Sequence, residues 1–257
     1  MDYIFFLNFF YFRLCLGMAW DCEGMVLAVI TERSSAIYFW NSASHRFQQV
    51  DTGVKESLTV LGWSSHSSQY LFVGTGKGNI IIYNHQTATK NIISGKHSKA
   101  IICGVWSETN MIAIASEDKL LTINNPSGET ISVTSLNGEP SKMQFLHAYD
   151  DEKLNTSKQN CVSVVINKKF LTVIYIEKPE NPFIVTFPEW YGDIVGYYPY
   201  NTGNFFVAFV FGMFVTVSTC FKNFGVELYQ VRSHKESLHT FSVCSHTKKV
   251  ATCSENM

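Results

Sequence analysis

Trp63 is followed by Gln69-Tyr-Leu-Phe-Val-Gly74, a turn at Lys77-Gly78, and then Asn79-Ile-Ile-Ile-Tyr83. Both apolar runs have strand length and consist largely of the β-branched and aromatic residues that strands favour. A glycine in the turn suits the positive φ angle that a tight hairpin needs. The stretch therefore predicts two paired strands after the tryptophan.

The same order of features recurs around Trp20 and Trp106, which stand forty-three residues on either side of Trp63. The matching runs are Gly24-Met-Val-Leu-Ala-Val-Ile30 with Ala36-Ile-Tyr-Phe-Trp40, and Asn110-Met-Ile-Ala-Ile-Ala115 with Leu120-Leu-Thr-Ile123. A period of about 40–45 residues with several short strands per unit is typical of WD40 repeats, each forming one four-stranded blade. We therefore predict an all-β WD40 β-propeller. This architecture disfavours an enzyme, because propellers mostly present surfaces to other proteins.

The repeats divide the chain into an N-terminal stretch and a partial propeller. Residues 1–16 form an atypical aromatic N-terminus, which a mis-assigned start or a divergent strand would explain. Residues 17–257 hold about five repeats and part of a sixth, so we expect an incomplete propeller, with missing sequence as the simplest explanation. The expected repeats are approximately 17–50, 57–94, 99–133, 140–187, 193–231 and 237–257. Within the fourth, we expect the polar segment from His147 to Asn160 to be an inserted surface loop.

Composition excludes several classes of function. The net charge of −1 gives no basic footprint for nucleic acid. The seven cysteines form no Cys-x-x-Cys pair, which argues against a zinc ribbon and a redox motif. Several lie in apolar runs, such as Cys103 in Ile101-Ile-Cys-Gly-Val105, so we expect buried, reduced thiols in a cytosolic protein.

Two apolar stretches could be mistaken for membrane segments. Tyr3 to Leu16 lacks a basic leader and a cleavage site, so a signal peptide is disfavoured. Phe205 to Phe221 carries no charge and approaches the length of a membrane span. Gly212, however, falls where Gly78 falls in the second repeat, so we predict a hairpin made of Phe206–Phe211 and Phe214–Ser218.

Two histidines occupy the position that WD repeats use for a hydrogen-bond network. His97 lies nine residues before Trp106, and His234 lies nine before Val243. Asp118 is in the turn that could serve His97, so the pair would fasten a loop to a strand within one blade. The alternative is a catalytic His–Asp pair, but no nucleophile recurs beside it. Trp20, Trp63, Trp106, His97, Asp118 and His234 are therefore predicted to be structural markers of the repeat.

Other candidate sites are weak. Gly74-Thr-Gly-Lys-Gly78 looks like a phosphate loop, but no Ser or Thr follows a Gly-Lys and no helix begins there; we place its glycines in the hairpin turn. The spacings between His234, His239 and His246 do not suit a shared metal ion. We expect no catalytic residue, no cofactor and no metal.

The chain from about Met18 to Asn256 resembles the N-terminal propeller of the WD repeat-containing protein nineteen family, core subunits of intraflagellar transport complex A. The most specific stretch is Ile82-Tyr-Asn-His-Gln-Thr87, because a generic WD repeat tolerates nearly any polar residue there. Other matching stretches are Leu27–Ile30, Ile37–Trp40, Gly76–Ile80, Gly95–His97, Cys103-Gly104 with Trp106, Glu117–Lys119, Glu139–Ser141, Met143–Phe145, Glu180–Pro182, His234-Lys235 and Lys249–Cys253. Residues 1–16 do not resemble the family, which continues through further propeller and a helical solenoid.

The resemblance implies a non-enzymatic scaffold for retrograde ciliary transport, ciliary entry of membrane cargo and cilium assembly. Its partners would be the other complex A subunits and, indirectly, cargo adaptors and the dynein motor; the protein would be cytoplasmic, at the cilium and ciliary base. The family supplies no catalytic or cofactor residues. A propeller of a membrane-coat or vesicle-tethering complex is the alternative, since fold likeness alone does not separate the two. An enzyme or ligand-binding propeller, and a protein anchored through Phe205–Phe221, are less well supported.

Overall fold

The computed structural model describes residues 14–149, 158–200, 203–244, 247 and 249–255 of the 257-residue chain. These residues form five four-stranded sheets and one two-stranded sheet, all antiparallel, with two short 3₁₀-helices. The chain divides into two compact units, Met1–Glu139 and Pro140–Met257. Each four-stranded sheet is called a blade below and is numbered in chain order.

The first unit contains three blades whose strands follow one another in sequence. Blade 1 consists of β1 (Cys15–Trp20), β2 (Val26–Thr31), β3 (Ala36–Asn41) and β4 (Phe47–Asp51). Blade 2 consists of β5 (Leu58–Trp63), β6 (Tyr70–Thr75), β7 (Ile80–Asn84) and β8 (Thr89–Ile93). Blade 3 consists of β9 (Ile101–Trp106), β10 (Ile112–Ser116), β11 (Leu120–Asn124) and β12 (Thr130–Ser135).

The second unit contains two blades and a hairpin. Blade 4 consists of β13 (Pro140–Tyr149), β14 (Lys158–Ile166), β15 (Phe170–Tyr175) and β16 (Phe183–Thr186), followed by the 3₁₀-helix Glu189–Tyr191. Blade 5 consists of β17 (Ile194–Tyr200), β18 (Asn204–Phe209), β19 (Met213–Ser218), the 3₁₀-helix Phe221–Asn223 and β20 (Glu227–Arg232). The hairpin consists of β21 (Leu238–Cys244) and β22 (Lys249–Ser254).

The middle strands are apolar at nearly every position because both of their faces are buried. In β7, Ile81 packs into a cluster shared with blade 1, whereas Ile80 and Ile82 pack into a cluster shared with blade 3. Successive strand residues point to opposite faces, so a strand between two packed neighbours needs apolar residues throughout rather than at alternate positions. This explains the uninterrupted run Ile80-Ile-Ile-Tyr83.

The predicted hairpin in the long apolar stretch is confirmed. β18 pairs antiparallel with β19, with Phe205 opposite Val217 and Val207 opposite Val215. Its length and lack of charge reflect burial on both faces, since β19 is buried throughout. Within the described ranges, no helix has the length and apolar composition that crossing a bilayer requires.

The expected bounds of the insert in blade 4 were wrong, and the expectation of buried thiols holds for three of the seven cysteines. The insert expected from His147 to Asn160 is shorter, because His147, Ala148 and Tyr149 continue β13 and pair with β14 residues 158–160. Backbone hydrogen bonds can extend a hairpin without apolar side chains, so the polar composition of the segment did not mark where the strands end. Residues 150–157 lie outside the described residues. Cys103, Cys161 and Cys220 are buried, but Cys22, Cys244 and Cys253 are exposed on turns and on the β21–β22 hairpin.

Candidate functional site

The three repeated tryptophans end the first strand of blades 1, 2 and 3. Trp106 is buried, donates its indole N–H to Gly62 O at 2.9 Å and packs against Phe72 of blade 2. Trp63 is buried against Phe39 of blade 1, with 5.9 Å between ring centroids. Each of these two rings therefore joins its own blade to the blade before it.

Trp20 occupies the same register position but has a different environment. It is 47% exposed, and its ring contacts Trp40 of the same blade at 5.9 Å. No blade precedes blade 1 among the residues described, so Trp20 has no neighbour of the kind that covers Trp63. The forty-three-residue period identifies the strand position of these residues but not their burial.

His97 and Asp118, which the sequence pairs, lie together in blade 3. His97 belongs to the loop before β9, and its Nδ1 lies 3.3 Å from Asp118 Oδ1 in the β10–β11 turn. The Asp118 carboxylate also accepts the Ser98 N–H at 2.8 Å and the Leu120 N–H at 3.0 Å. The carboxylate thus ties the incoming loop, the turn and the start of β11 to one point.

The network continues from His97 into the middle of the blade. His97 Nε2 lies 3.0 Å from Thr122 Oγ1, Asn124 Nδ2 donates to Thr122 Oγ1 at 3.0 Å, and Thr130 Oγ1 donates to Asn124 Oδ1 at 2.7 Å. Because an ionised carboxylate can only accept, the ring nitrogen that faces Asp118, Nδ1, carries a proton. In the neutral imidazole Nε2 is then an acceptor, and the Thr122 hydroxyl donates to it.

The electrostatics agree with a neutral ring beside a charged carboxylate. Burial lowers the pKa of His97, and the hydrogen bond and charge of Asp118 oppose that shift. Burial by itself raises the pKa of Asp118, but the hydrogen bonds from Ser98, Leu120 and His97 outweigh it and leave this pKa below its usual value. The negative charge of Asp118 is therefore stabilised by hydrogen-bond donors within the blade.

A glycine makes room for this loop in blade 2, and the arrangement repeats in blade 5. A Cβ on Gly78, whose φ is +85°, would lie 2.5 Å from His97 O, and a Cβ on Gly212, with φ +73°, would lie 2.3 Å from His234 O. The β6–β7 and β18–β19 turns therefore each lie against the histidine of the next repeat. Both turns need glycine for the backbone angle and for the space.

His234 has the expected place but a smaller network. Its Nε2 lies 2.7 Å from Thr252 Oγ1 on β22, at an exposed site. The structure thus brings His97 and Asp118 together with Thr122, whereas His234 bonds to one hydroxyl in the next hairpin.

The expected location of the phosphate-loop glycines needs one correction. Gly78 lies in the turn, but Gly74 lies within β6, where a Cβ would come within 2.5 Å of Ile101 on β9. Gly74 therefore permits close packing between blades 2 and 3 and does not form part of a loop. No helix follows that could direct backbone N–H groups at a phosphate.

Two further polar clusters were not found from the sequence. In blade 2 the Glu56 carboxylate accepts from Thr75 Oγ1 at 2.7 Å and from Asn79 Nδ2 at 2.9 Å, closing the loop that leads into β5. In blade 2 a carboxylate therefore fastens the loop before the first strand, whereas in blade 3 a histidine and an aspartate do so. The spacing from Trp63 gives no signal for it, because Glu56 does not occupy the position of His97.

The second cluster joins the 3₁₀-helix after blade 4 to the outer strand of blade 5. The Tyr191 hydroxyl lies 2.8 Å from both Glu227 Oε2 and Gln230 Oε1. Burial and the adjacent Glu227 carboxylate raise the pKa of Tyr191 to about 12. These residues are far apart in sequence, and only the run Glu189-Trp-Tyr191 between two strands marks an unusual connection.

This geometry supports a structural role for the histidine–aspartate pair. His97 is 5% exposed, and both of its ring nitrogens are hydrogen-bonded inside the blade. In the described part of the chain, no three His, Cys, Asp or Glu side chains are arranged to hold a metal ion. The network can hold the loops rigid, which is what a binding surface requires.

Comparison with known proteins identifies the family of the chain and several relatives. A family model described as WDR19 first beta-propeller matches residues 8–257. WD repeat-containing protein 19 of Homo sapiens is 41% identical over 242 residues, which is 94% of this chain and 18% of that protein. WD repeat-containing protein dyf-2 of Caenorhabditis elegans is 31% identical over 245 residues, which is 94% of this chain and 17% of that protein.

Among solved structures, a chain of the mitotic checkpoint complex crystal structure superposes with a TM-score of 0.70 at 16% identity. The match covers 95% of this chain and 70% of that one, and at this identity it shows the fold alone. The predicted WD40 β-propeller fold is confirmed.

Proposed function

The chain belongs to the WDR19 first β-propeller family, and from this premise we propose that it is a non-enzymatic protein-interaction scaffold of the intraflagellar transport complex A core-subunit type. The observation that carries the proposal is the family match over residues 8–257. The chain spans 18% of the human relative's length. The activity and partners of a whole subunit are therefore proposed for this chain and do not follow from the family match alone.

The blades suit a scaffold because their connecting loops are fixed by internal bonds. The Asp118 carboxylate holds the loop before β9, and the Glu56 carboxylate holds the loop before β5. Satisfied polar networks of this kind rigidify the backbone around them. A partner that binds a rigid rim has little loop-ordering entropy to offset.

The proposed partners are the other complex A subunits and, through them, cargo adaptors and the dynein motor. The proposed processes are retrograde ciliary transport, ciliary entry of membrane cargo and cilium assembly, with the protein cytoplasmic and at the cilium and its base. The proposed organisation is a propeller from residue 17 onward, with the repeats at the positions given above. No nucleic acid is among the proposed partners.

Affinity capture from ciliated cells of the source organism tests the proposal. The full chain carries a tag, and an unrelated WD40 propeller with the same tag is the control. We expect complex A subunits in the eluate of the chain and absent from the control, and tag fluorescence at the ciliary base. A soluble, folded chain that captures none of them, or that captures coat subunits instead, would overturn the proposal.

A further inference from the structure

Charged side chains in blades 2 and 3 are segregated between the two ends of the strands. Residues 52–139, all of which the structure describes, contain six lysines and no arginine. Five of the lysines lie in the loops and turns at the end where β5, β7, β9 and β11 begin, and all five are exposed. They are Lys55, Lys77, Lys96, Lys99 and Lys119, and they are called the lysine rim below. The sixth, Lys90, lies within β8.

Hydrogen bonds and close contacts bring the segments of the lysine rim together. The turn holding Lys77 lies against His97, since a Cβ on Gly78 would meet His97 O at 2.5 Å. The Asp118 carboxylate accepts the Ser98 N–H at 2.8 Å, which places the turn holding Lys119 beside the loop holding Lys96. Likewise, Glu56 bonds to Asn79, which places Lys55 beside the turn holding Lys77.

The carboxylates at this end do not neutralise the lysines directly. Glu56 is bonded to Thr75 and Asn79, and Asp118 to His97, Ser98 and Leu120. The exposed carboxylates at this end are Glu117 and, in the connection after β12, Glu139. Over the described ranges, no ion pair includes a lysine-rim side chain. The five ammonium groups are therefore available to an external anion.

The opposite end of the same two blades has the reverse character. Its turns, which join β5 to β6, β7 to β8, β9 to β10 and β11 to β12, contain Glu108 and Glu129 and no lysine or arginine. The net charge of the whole chain is only −1, so the lysine rim is a local feature that composition conceals. The lysine-rim end holds five lysines against the four carboxylates of Glu56, Glu117, Asp118 and Glu139, whereas the turns of the opposite end hold only glutamates, so an acidic partner is favoured at the lysine-rim end.

We propose that the lysine rim binds an acidic, extended segment of a partner protein. The lysines come from four separate connections across two blades, an arrangement that suits several carboxylates along one extended chain better than a single small anion. This inference rests on the proposed scaffold function and names the chemistry of one partner.

The side chains around the lysines favour a polypeptide over a membrane or a nucleic acid. The exposed large apolar residues of residues 52–139 are Ile92, Ile131 and Val133, and all three lie in the outer strands β8 and β12. Ile92 pairs with Ile81 near the lysine rim, but the connections that carry the lysines expose no large apolar side chain of their own to insert among lipids. It also has no exposed aromatic ring on which a base could stack. Exposed serines, Ser57 and Ser98 among them, add hydrogen-bond donors for carboxylates.

Fluorescence anisotropy with a labelled peptide of alternating glutamate and serine tests the proposal on the full chain. The matched control peptide replaces each glutamate with glutamine. The test variant is Lys77→Glu with Lys96→Glu, and its control, Lys90→Glu with Lys178→Glu, changes the net charge equally at exposed sites outside the lysine rim. All four exchanged positions are exposed, and equal thermal midpoints will show that both variants remain folded.

We expect the acidic peptide to bind, the glutamine peptide not to bind, and the affinity to fall as salt rises from about 50 to about 300 mM. Reversing two lysines of the lysine rim should weaken binding by roughly tenfold or more, and the control variant by less than about twofold. Equal loss in both variants, or no preference for glutamate over glutamine, would overturn the proposal.

Two further probes distinguish other anions. Binding to phosphatidylserine-containing vesicles or to a thymidine oligonucleotide more tightly than to the acidic peptide, with the same lysine dependence, would also overturn it. If the unmodified chain captures complex A subunits but does not bind the acidic peptide, the proposal for the lysine rim is rejected and the proposed function is not. Peptide binding without capture of complex A rejects the proposed function instead.

Discussion

Replacing His97 with alanine is the most direct test of how blade 3 is held together. The side chain is 5% exposed and bonds to Asp118 at 3.3 Å and to Thr122 at 3.0 Å. Each lost bond costs about 1 kcal/mol, and the cavity left by the ring adds a similar amount. We expect a loss of about 3 kcal/mol, which lowers the melting midpoint of a chain of this size by about 6–12 °C.

The assay is urea and thermal unfolding of the full chain, followed by tryptophan fluorescence, with His234→Ala as the matched control. Within the described residues, the His234 side chain bonds to Thr252 at an exposed site, so its removal should cost less than about 1 kcal/mol. A double-mutant cycle with Thr122→Val should show coupling of about 1 kcal/mol with His97→Ala. If the two histidine variants lose equal stability, or the cycle shows no coupling, the network does not hold the blade.

Three further perturbations have defined outcomes. Burial lowers the pKa of His97 from its usual 6.5, so stability should fall as the pH drops from about 6.5 through the folded-state pKa, and His97→Asn should flatten this fall in pH-dependent urea titrations. Burial also lowers the pKa of His85, so part of the dependence of stability on pH should remain in the variant. If His97→Asn leaves the pH dependence of stability unchanged, the fall is not caused by His97. Gly78→Ala should cost about 3 kcal/mol or more, because its Cβ would meet a carbonyl at 2.5 Å. Gly24→Ala has the same sign of φ but nothing within 4 Å, so it should cost only about 1 kcal/mol; equal unfolding midpoints would refute the steric argument. Tyr191→Phe should cost about 1 kcal/mol in denaturant unfolding, since its hydroxyl bonds two side chains at 2.8 Å; no loss would show that those bonds contribute nothing.

The His97 network and the lysine rim share the same loops. The rim lysines Lys96 and Lys99 flank His97, and Lys119 follows Asp118 directly in sequence. Internal hydrogen bonds therefore position the backbone that presents these charges. Rigid presentation reduces the entropy lost on binding. His97→Ala should therefore also lower the affinity for the acidic peptide in the anisotropy assay, although all five lysines are retained.

Local sequence determined the features that depend on strand period and turn chemistry. Apolar runs of strand length, the glycine turns and the forty-three-residue spacing were enough to predict the fold and the hairpin of β18 and β19. The pairing of His97 with Asp118 could be expected as well, because both lie at fixed offsets within a single repeat. These relations join residues that are close in sequence, and they recur from repeat to repeat.

Only the tertiary structure decided which equivalent positions are buried and which distant polar groups meet. Trp20 and Trp106 share a place in the repeat, yet among the residues described only Trp106 has a neighbouring blade against its ring. The contact of Tyr191 with Glu227 joins residues far apart in the chain, which no periodic pattern encodes. Burial and long-range hydrogen bonds depend on what packs against a strand from elsewhere, and that information is absent from the strand's own residues.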